Sequence, residues 1–542
     1  MTTPRISDAL CLTEDETTAL YLFKGTWAAR YTLKDGTWQI TAPFSTARHL
    51  SAWWPGLAAT AGRKAYDAVW TAGDRIWLTA KDRVIRYDLS TGKLVEAEGA
   101  LSGIIADLPT GFDQGVGAAM NVPGRVYLFR GGDYCSYATE DEQVTGGVKR
   151  LTGLTAVDGA CYLSGTPYFF SGEHYYTGSV NDTDNTLSVD TGSKKKITDS
   201  WSGAPVGTPY LDIYCNPEGK LTRVRTDIDL TSGATTLPSS PAADRTTLNF
   251  SWTKNHFPPP FFYVTPDNRR AYVPDRDGEK VVAVDLTRKP EEEPTIWTAK
   301  LNSSVYISAM APHWQSLWLR TGLSPKAMLT ELKLDGGTTE PSPKYTSFPN
   351  MYGSIAVSPD NRTVYVGFYQ GVEEVGYEFA VVDAATHKYS TTVRLGELKP
   401  DYLAACPDGK KVYVGTADKA EVTKVVLDKP KVLKSFAAGG RVVGLATTLD
   451  GTRCVAAVNK VRDFQKLLII RTVEDTQVSV LLKDAKSVSS VAVDPHSRYA
   501  YVSDVDASTI WVVDLDRSEV AGSIPLTGIT DLYQLELAPN WD

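Results

Sequence analysis

The stretch PDNRTVYVG at residues 359–367 decides the fold of the second half of this chain of 542 residues. A Pro-Asp-Asn turn is followed by a short run of β-branched and aromatic residues, which is typical of a tight turn leading into a strand. Related turns recur at intervals of 46, 47, 48, 42, 46 and 44 residues. They begin at Pro266, Pro312, Pro359, Pro407, Leu449, Pro495 and Pro539. The stretch is therefore one copy of a repeat.

A repeat of about 45 residues suits a four-stranded propeller blade, since four strands of ~5–6 residues and their turns fill that length. Seven repeats are present, and the seventh stops after its innermost strand, residues 531–537. A ring cannot close on one strand, so the outer strands must come from elsewhere in the chain. Residues 210–214 and 221–225 are suited to supply them, and this pairing would remove a free sheet edge. We therefore predict a seven-bladed ring.

The first 205 residues contain a different repeat. Its units begin at Asp8, Asp67, Gly117 and Asp158, and each continues into an aromatic strand such as YFFSG at 168–172. Four units predict a four-bladed ring. The expected fold is therefore all-β, with two tandem β-propellers, four-bladed over residues 1–205 and then seven-bladed over residues 206–542.

Two known families have repeats of this kind. Residues 206–542 resemble the YVTN-type seven-bladed propeller, whose units read Pro-Asp-Gly, Tyr-Val and Val-Asp in the same order. Residues 1–205 resemble a hemopexin-type domain, in which Asp-Ala opens the innermost strand, Tyr-Phe-Phe-x-Gly-x-x-Tyr follows, and Trp-Pro-Gly-Leu links blades. The matching stretches are YFFSGEHY at 168–175 and WPGL at 54–57. The third unit departs from this pattern, with Gly117 in place of the aspartate.

Composition excludes several classes of function. The chain has 56 Lys and Arg against 64 Asp and Glu, a formal net charge of -8, so we expect no nucleic-acid partner. It has no apolar stretch of about 18 residues and no apolar segment of a cleaved export signal near Met1, so we expect no membrane span. The six cysteines are never closer than 26 residues apart. We expect a reduced, cytoplasmic protein, with non-classical release left open.

An ion is expected in the channel of the small propeller. Four innermost strands around one axis would direct equivalent main-chain carbonyls toward it, and Asp8, Asp67 and Asp158 would add carboxylates. Oxygen ligands suit a hard cation, Ca²⁺, Mg²⁺ or Na⁺. The hemopexin resemblance implies the same channel ion, with the carbonyls of Asp8, Asp67, Gly117 and Asp158 as ligands. The alternative is that these aspartates cap turns or bond to neighbouring backbone, which needs no ion.

The histidines and aromatic residues suggest two further kinds of site. Hemopexin itself holds heme between two propellers through histidines, but His256 and His313 alone do not make such a site, so heme is not expected. Aromatic residues near the openings of three consecutive units could share a rim of the large ring and bind a small molecule or a glycan. With the two histidines, they form the candidate ligand-binding set, namely Trp314, Trp318, Tyr352, Tyr369 and Tyr402. The alternative is that the aromatics pack between blades.

No HExxH, GxSxG or GxxxxGK[ST] motif occurs, so the sequence names no particular reaction. Two functional hypotheses therefore stay open. The first is a non-enzymatic protein that binds a small molecule or a protein partner at the propeller mouths or in a cleft between the rings. The second is an enzyme of hydrolase, lactonase or lyase type in bacterial specialised metabolism, since YVTN-like rings include lactonases. Asp401, His313 and Glu378 are available for catalysis, but we expect each to be solvated at the surface.

Overall fold

The computed structural model describes most of the chain in terms of antiparallel strands. The described residues are 6–14, 17–34, 37–40, 47–50, 53–54, 57, 66–91, 93–95, 99–207, 209–216, 220–230, 243–251, 261–289, 292–312, 314–323, 326–334, 338–348, 350–370, 376–459, 464–526, 529 and 532–541. Among these residues, helix is confined to a short α1 (Ile197–Ser200) and to 3₁₀ turns such as Leu101–Gly103 and Phe112–Gln114. Within these ranges no helix is both long and apolar enough to cross a membrane.

Four sheets form the first part of the chain, and each runs outward from its innermost strand. Blade 1 contains β1 (Asp8–Glu14), β2 (Thr17–Lys24), β3 (Trp27–Lys34), β4 (Thr37–Ile40) and β5 (Arg48–His49). Blade 2 contains β6 (Ala68–Ala72), β7 (Arg75–Ala80), β8 (Arg83–Asp88), β9 (Lys93–Leu94) and β10 (Gly99–Ala100). Blade 3 contains β11 (Ala118–Val122), β12 (Arg125–Arg130), β13 (Asp133–Ala138) and β14 (Val144–Arg150). Blade 4 contains β15 (Gly159–Leu163), β16 (Thr166–Ser171), β17 (His174–Asn181) and β18 (Thr186–Lys196).

Seven four-stranded sheets follow, of which one combines both ends of this part of the chain. This closing blade contains β19 (Tyr210–Cys215), β20 (Lys220–Asp229), β21 (Ala243–Ser251) and the last strand, β46 (Leu535–Asn540). Blade 5 contains β22 (Tyr263–Val264), β23 (Arg270–Asp275), β24 (Lys280–Asp285) and β25 (Thr295–Lys300). Blade 6 contains β26 (Val305–Met310), β27 (Ser316–Thr321), β28 (Met328–Lys333) and β29 (Pro343–Ser347). Blade 7 contains β30 (Met351–Val357), β31 (Thr363–Gln370), β32 (Gly376–Asp383) and β33 (Tyr389–Gly396).

The remaining three blades have the same plan. Blade 8 contains β34 (Tyr402–Ala405), β35 (Lys411–Thr416), β36 (Glu421–Val426) and β37 (Lys431–Ala437). Blade 9 contains β38 (Arg441–Thr447), β39 (Arg453–Asn459), β40 (Gln465–Arg471) and β41 (Thr476–Leu482). Blade 10 contains β42 (Val488–Val493), β43 (Tyr499–Asp504), β44 (Thr509–Asp514) and β45 (Glu519–Pro525). The prediction of an all-β fold with a four-bladed and then a seven-bladed propeller is confirmed.

The closing blade joins the C-terminal strand to strands from residues 210–251. The innermost strand β46 pairs antiparallel with β19, with Tyr210 opposite Asn540 and Cys215 opposite Leu535. This innermost strand begins at Leu535, four residues later than the sequence suggested. The pairing satisfies the backbone of both strands, so neither is left as a free edge.

The chain divides into two compact units. The first comprises Met1–Pro209, Asp229–Ala234 and Trp541–Asp542, and the second comprises Tyr210–Ile228 and Thr235–Asn540. The hydrophobic cores lie between consecutive blades, because each sheet presents one face to the blade before it and one to the blade after it. Between blades 1 and 2, for example, Leu10 and Tyr21 pack with Val69 and Leu78.

Candidate functional site

The innermost strands of the four-bladed propeller correct the predicted alignment of its aspartates. The residue of blade 1 that corresponds to Asp67, Gly117 and Asp158 is Ser7, and Asp8 comes one residue later. The four corresponding amides donate, in blade order, to the carbonyls of Phe23, Thr79, Phe129 and Phe170. The sequence-based alignment that placed Asp8 in the same position as Asp67 and Asp158 is therefore wrong by one residue. Since side chains alternate along a strand, this offset sends Asp8 in a different direction from the other two.

The side chains of Ser7, Asp67 and Asp158 bond to hairpin turns. Each accepts a hydrogen bond from the amide that opens the turn after the second strand of its blade. The distances are 3.0 Å from Gly25 to Ser7, 2.7 Å from Lys81 to Asp67, and 2.7 Å from Gly172 to Asp158. The side chains of Asp67 and Asp158 therefore cap turns, which is the alternative to ion binding given by the sequence.

Asp8 is completely buried at the place where the four innermost strands meet. Its Oδ1 accepts hydrogen bonds from the amides of Ala9 at 2.8 Å and Ala160 at 3.2 Å. Its Oδ2 accepts from the amides of Val69 at 2.5 Å and Ala119 at 3.3 Å. Each of the four blades thus supplies one donor. Burial raises the pKa of Asp8 well above its ordinary value, and the four amides act in the opposite direction.

Small residues make room for this carboxyl. The positions that correspond to Asp8 in the other blades are Ala68, Ala118 and Gly159. A Cβ atom on Gly159 would lie 2.8 Å from the Cα of Asp8, so only glycine fits there. Blade 1 therefore contributes the carboxyl group of Asp8, and the small residues of the other three blades leave space for it.

These contacts limit how the predicted cation could be held. The carboxylates of Asp8, Asp67 and Asp158 already accept backbone amides, so they do not form a set of side-chain ligands. In the described part of the chain, no group of three or more His, Cys, Asp or Glu side chains could hold a metal ion. Main-chain carbonyls are the remaining donors for a hard cation, and the carbonyls at Asp8, Asp67, Gly117 and Asp158 stay a prediction.

In the seven-bladed propeller, a cavity of about 390 Å³ lies where the innermost strands of blades 5 to 9 begin. Two of the predicted aromatic residues, Tyr352 and Tyr402, line it, as does Asp401. The sequence analysis did not single out its cationic residues, which are Arg276, Arg320, Lys399 and Arg441. Four cationic side chains thus surround one carboxylate, an excess of three positive charges in a chain whose net charge is -8.

Two of these arginines lie against the ring of Tyr306. The guanidinium carbon of Arg276 is 4.6 Å from the ring centroid, and that of Arg320 is 5.2 Å away. Neither guanidinium has a carboxylate within ion-pair distance among the described residues. The Nε of Arg320 is buried and has no hydrogen-bond acceptor in the described part of the chain. Burial lowers the pKa of Arg320, and the charge of Arg276 lowers it further.

The middle of the cavity wall is electrically balanced. Lys399 Nζ is 2.9 Å from Asp401 Oδ1 and lies 5.1 Å from the ring centroid of Tyr352. The other oxygen of Asp401 accepts the amide of Ala417 at 2.9 Å. Burial lowers the pKa of Lys399, but the hydrogen bond to Asp401, the charge of Asp401 and the neighbouring Tyr352 together outweigh this, so the net shift is upward. Asp401 is therefore fully engaged.

Arg441 stands on the far side of this pair. It is the first residue of β38 in blade 9, it is exposed, and no carboxylate within the described ranges pairs with it. It is close enough to lower the pKa of Tyr402, which burial and Asp401 raise. The cavity thus has two cationic centres without carboxylate partners, with a neutralised pair between them.

The other predicted site residues have different surroundings. Trp318 is 1% exposed and packs in the core between blades 6 and 7, as the alternative of packing between blades describes, and it does not line this cavity. Trp314 packs against the core between blades 5 and 6. The ring of Tyr369 does not line the cavity and lies 5.1 Å from that of Tyr377, which is 5.9 Å from the ring of Tyr352. His256 and His313 lie outside the described residues.

Glu378 also differs from its prediction. It is 5% exposed on β32, not solvated, and its Oε1 is 3.6 Å from Arg394 Nε. It does not line the cavity. Position-by-position comparison of the seven repeats could have suggested the cationic residues, because Lys399 and Arg441 stand at the same point of the repeat, next to the start of an innermost strand.

Comparisons with known proteins show similarity in fold alone. No protein family matches the chain, and no curated protein matches it. A hydrazine synthase structure from Kuenenia stuttgartiensis is similar at 15% identity over 51% of this chain and 90% of that one, with a TM-score of 0.41. The hemopexin fold protein CP4 from cow pea has 18% identity over 37% and 96% of the two chains, with a TM-score of 0.33. A functionally unknown protein from Desulfotomaculum acetoxidans has 12% identity over 61% and 99%, with a TM-score of 0.44.

Proposed function

We propose that this protein is a non-enzymatic binding protein that holds a small organic anion at the mouth of its seven-bladed propeller. The observation that carries this proposal is the pair Arg276 and Arg320 on the ring of Tyr306. Two guanidinium groups held close together without a carboxylate repel each other, and burial strengthens that repulsion. An anion beside them relieves it, and a guanidinium is suited to bind carboxylate or phosphate through two hydrogen bonds.

The environment of Asp401 favours binding over catalysis. A general base needs a free oxygen that can reach the substrate proton. Both carboxylate oxygens of Asp401 are engaged, one by Lys399 and one by the amide of Ala417. The hydroxyl of Ser308, which also lines the cavity, is bonded to the Tyr263 hydroxyl at 3.0 Å. A hydrolase, lactonase or lyase remains the second candidate, supported only by the resemblance to YVTN-like rings.

Binding can be measured by isothermal titration with benzoate, citrate and phenyl phosphate at low ionic strength. We expect at least one of them to bind the wild type, and Arg320→Gln to weaken it at least tenfold, because a hydrogen bond to a charged group contributes about 1.5–3 kcal/mol. Arg471→Gln, an exposed arginine on β40 outside the cavity, is the matched control. Binding that survives in Arg320→Gln, or consumption of the anion during the titration, contradicts the proposal.

The proposal also covers the families that the two propellers resemble and the ion in the small channel. We propose a hemopexin-like domain followed by a YVTN-like propeller in a cytoplasmic protein whose partner is a small molecule. A structural Ca²⁺, Na⁺ or Mg²⁺ in the small channel would be held by main-chain carbonyls of the four innermost strands. The set suggested by the sequence, Asp8, Asp67, Gly117 and Asp158, is not a set of equivalent positions, because Ser7 is the residue of blade 1 that corresponds to the other three. Exchange into Na⁺-free buffer with a chelator is then expected to lower the melting temperature of the first unit, and Ca²⁺ to restore it. A melting curve that no cation changes would contradict this part.

A further inference from the structure

We infer that the anion bound at this mouth carries two separate anionic groups, one held by Arg276 and Arg320 and the other by Arg441. This inference rests on the proposed function and names the class of ligand: a small organic dianion with two carboxylates, or with a carboxylate and a phosphate. It follows from where the cationic residues without carboxylate partners lie around the ring.

The first centre belongs to blades 5 and 6. Arg276 follows β23 of blade 5 and Arg320 lies on β27 of blade 6, so the two guanidiniums come from neighbouring blades and meet at Tyr306. The buried Nε of Arg320 lacks an acceptor among the described residues, although buried N–H donors nearly always have one. An anionic group at this point would offset both positive charges.

The second centre belongs to blade 9. Blades 7 and 8 separate Arg441 from Arg320, and in a closed ring of seven blades a residue three blades away lies nearly opposite. The Lys399–Asp401 pair between the two centres is neutralised internally and does not call for an anion. A ligand with a single charge would therefore leave one centre without a counter-charge, whereas two charges at its ends would satisfy both.

The size and surface of the cavity restrict what connects the two groups. A volume of about 390 Å³ is near the lower end for small-molecule sites, so the ligand is small and not a polymer. Between the centres, the wall is formed by Tyr352 and Tyr402 with Ile307. Tyr352 is 41% exposed, which leaves part of its ring free for contact. These side chains favour an aliphatic or aromatic connecting segment.

Two matched ligand series test the inference. Succinate, adipate, suberate and terephthalate are titrated into the full-length protein beside the monocarboxylates butyrate, hexanoate, octanoate and benzoate. We expect one dicarboxylate to bind at least tenfold more tightly than its monocarboxylate. Arg441→Gln should reduce that advantage three- to tenfold, because it weakens the dicarboxylate more than the monocarboxylate, whereas Arg320→Gln should weaken both series to a similar extent. Arg471→Gln serves again as the control.

The outcomes separate this inference from the proposed function. If mono- and dicarboxylates bind equally, or if Arg441→Gln changes neither series, the dianion inference is wrong and anion binding at Arg276 and Arg320 stands. If no member of either series binds the wild type at millimolar concentration, the proposed function fails and the inference fails with it. If Arg441→Gln and Arg320→Gln lower the affinity equally for both series, the cavity has a single anion-binding centre. That result also overturns the inference.

Discussion

The carboxyl of Asp8 accepts backbone hydrogen bonds at the axis of the four-bladed propeller, a role that a bound anion could also fill. It receives one backbone amide from each blade, so a single side chain of the first blade is bonded to all four innermost strands. An ionised carboxylate suits this role, because both of its oxygens only accept hydrogen bonds. The same residue therefore connects strands that are as far apart in the chain as Ala9 and Ala160.

The Asp8→Ala substitution is expected to destabilise the four-bladed unit by at least about 3 kcal/mol, because buried amides left without an acceptor cost ~1–3 kcal/mol each. Sodium formate should restore part of the loss by placing a free carboxylate among the amides. The measurement is the melting temperature with and without formate. A concentration of about 0.2–0.5 M is used, because a weak site is saturated only at high ligand concentration. Asp67→Ala is the control, and it should lose less and gain nothing from formate. Equal formate effects on Asp8→Ala and wild type would contradict the prediction.

At the scale of single strands, β46 closes the large ring and carries a partly buried acid. Its residue Glu536 accepts a hydrogen bond from Gln534 Nε2 at 3.3 Å, and burial raises its pKa from 4.5 to about 8. The folded state therefore holds a proton that the unfolded chain releases near pH 4.5. Stability contributed by this difference is present below the unfolded pKa and is lost as the pH rises toward the folded pKa.

Glu536→Gln should accordingly flatten the dependence of stability on pH. In the wild type, the free energy of unfolding should fall between about pH 4.5 and pH 8, by at most about 1.4 kcal/mol per pH unit from this group. Melting temperatures from pH 5 to pH 9 would measure the difference between the two proteins. Glu519→Gln, which removes an exposed carboxyl on β45, should keep the wild-type slope. The explanation is wrong if Glu536→Gln keeps it too.

Removal of β46 should destabilise the seven-bladed unit as a whole. Truncation after Leu526 deletes the innermost strand of the closing blade and exposes the edge of β19 along six paired residues. Truncation after Asn540 is the control, because it keeps β46 and removes only residues 541–542, which belong to the first unit. Calorimetry should show the transition of the large ring lost or lowered in the first variant alone. Identical transitions in both variants would exclude a closing role for β46.

At the scale of the whole molecule, each unit has its own core, but the first one includes distant residues. Trp27 Nε1 donates to the carbonyl of Leu230 at 2.9 Å, and its ring lies 5.7 Å from the ring of Trp541. Both partners belong to the first unit although they lie far along the chain. A fragment 1–209 lacks them, so we expect it to fold with a lower melting temperature than the same unit has in the full chain.

The complementary fragment 210–542 should keep the binding site. Every residue that lines the cavity lies between Phe261 and Arg441, inside the second unit. Its affinity for a bound anion should therefore match that of the full-length protein within about twofold, since separate units rarely share a site unless residues of both line it. Circular dichroism checks that the fragment is folded. A folded fragment that has lost binding would place essential residues in the first unit.

The sequence by itself determined the architecture, because turns and strands are local and repeat. The PDNRTVYVG stretch at 359–367 and its relatives specify seven blades, and the aromatic repeat of the first 205 residues specifies four. Part of the site was also predictable, since Tyr352 and Tyr402 stand near repeat openings. The packing of Trp318 between blades was not distinguishable from exposure, because both use large aromatics at the same points of the repeat.

Only the tertiary structure decided the chemistry. Asp8-Ala9 and Asp67-Ala68 read alike, yet a one-residue difference in register sends Asp8 to the ring axis and Asp67 to a turn, because successive side chains of a strand point to opposite sides. Arg276, Arg320 and Arg441 are separated by up to 165 residues of chain and come from three blades. They share one cavity because the ring brings the starts of its innermost strands and the ends of the adjacent second strands to a common mouth, and no local pattern contains that closure.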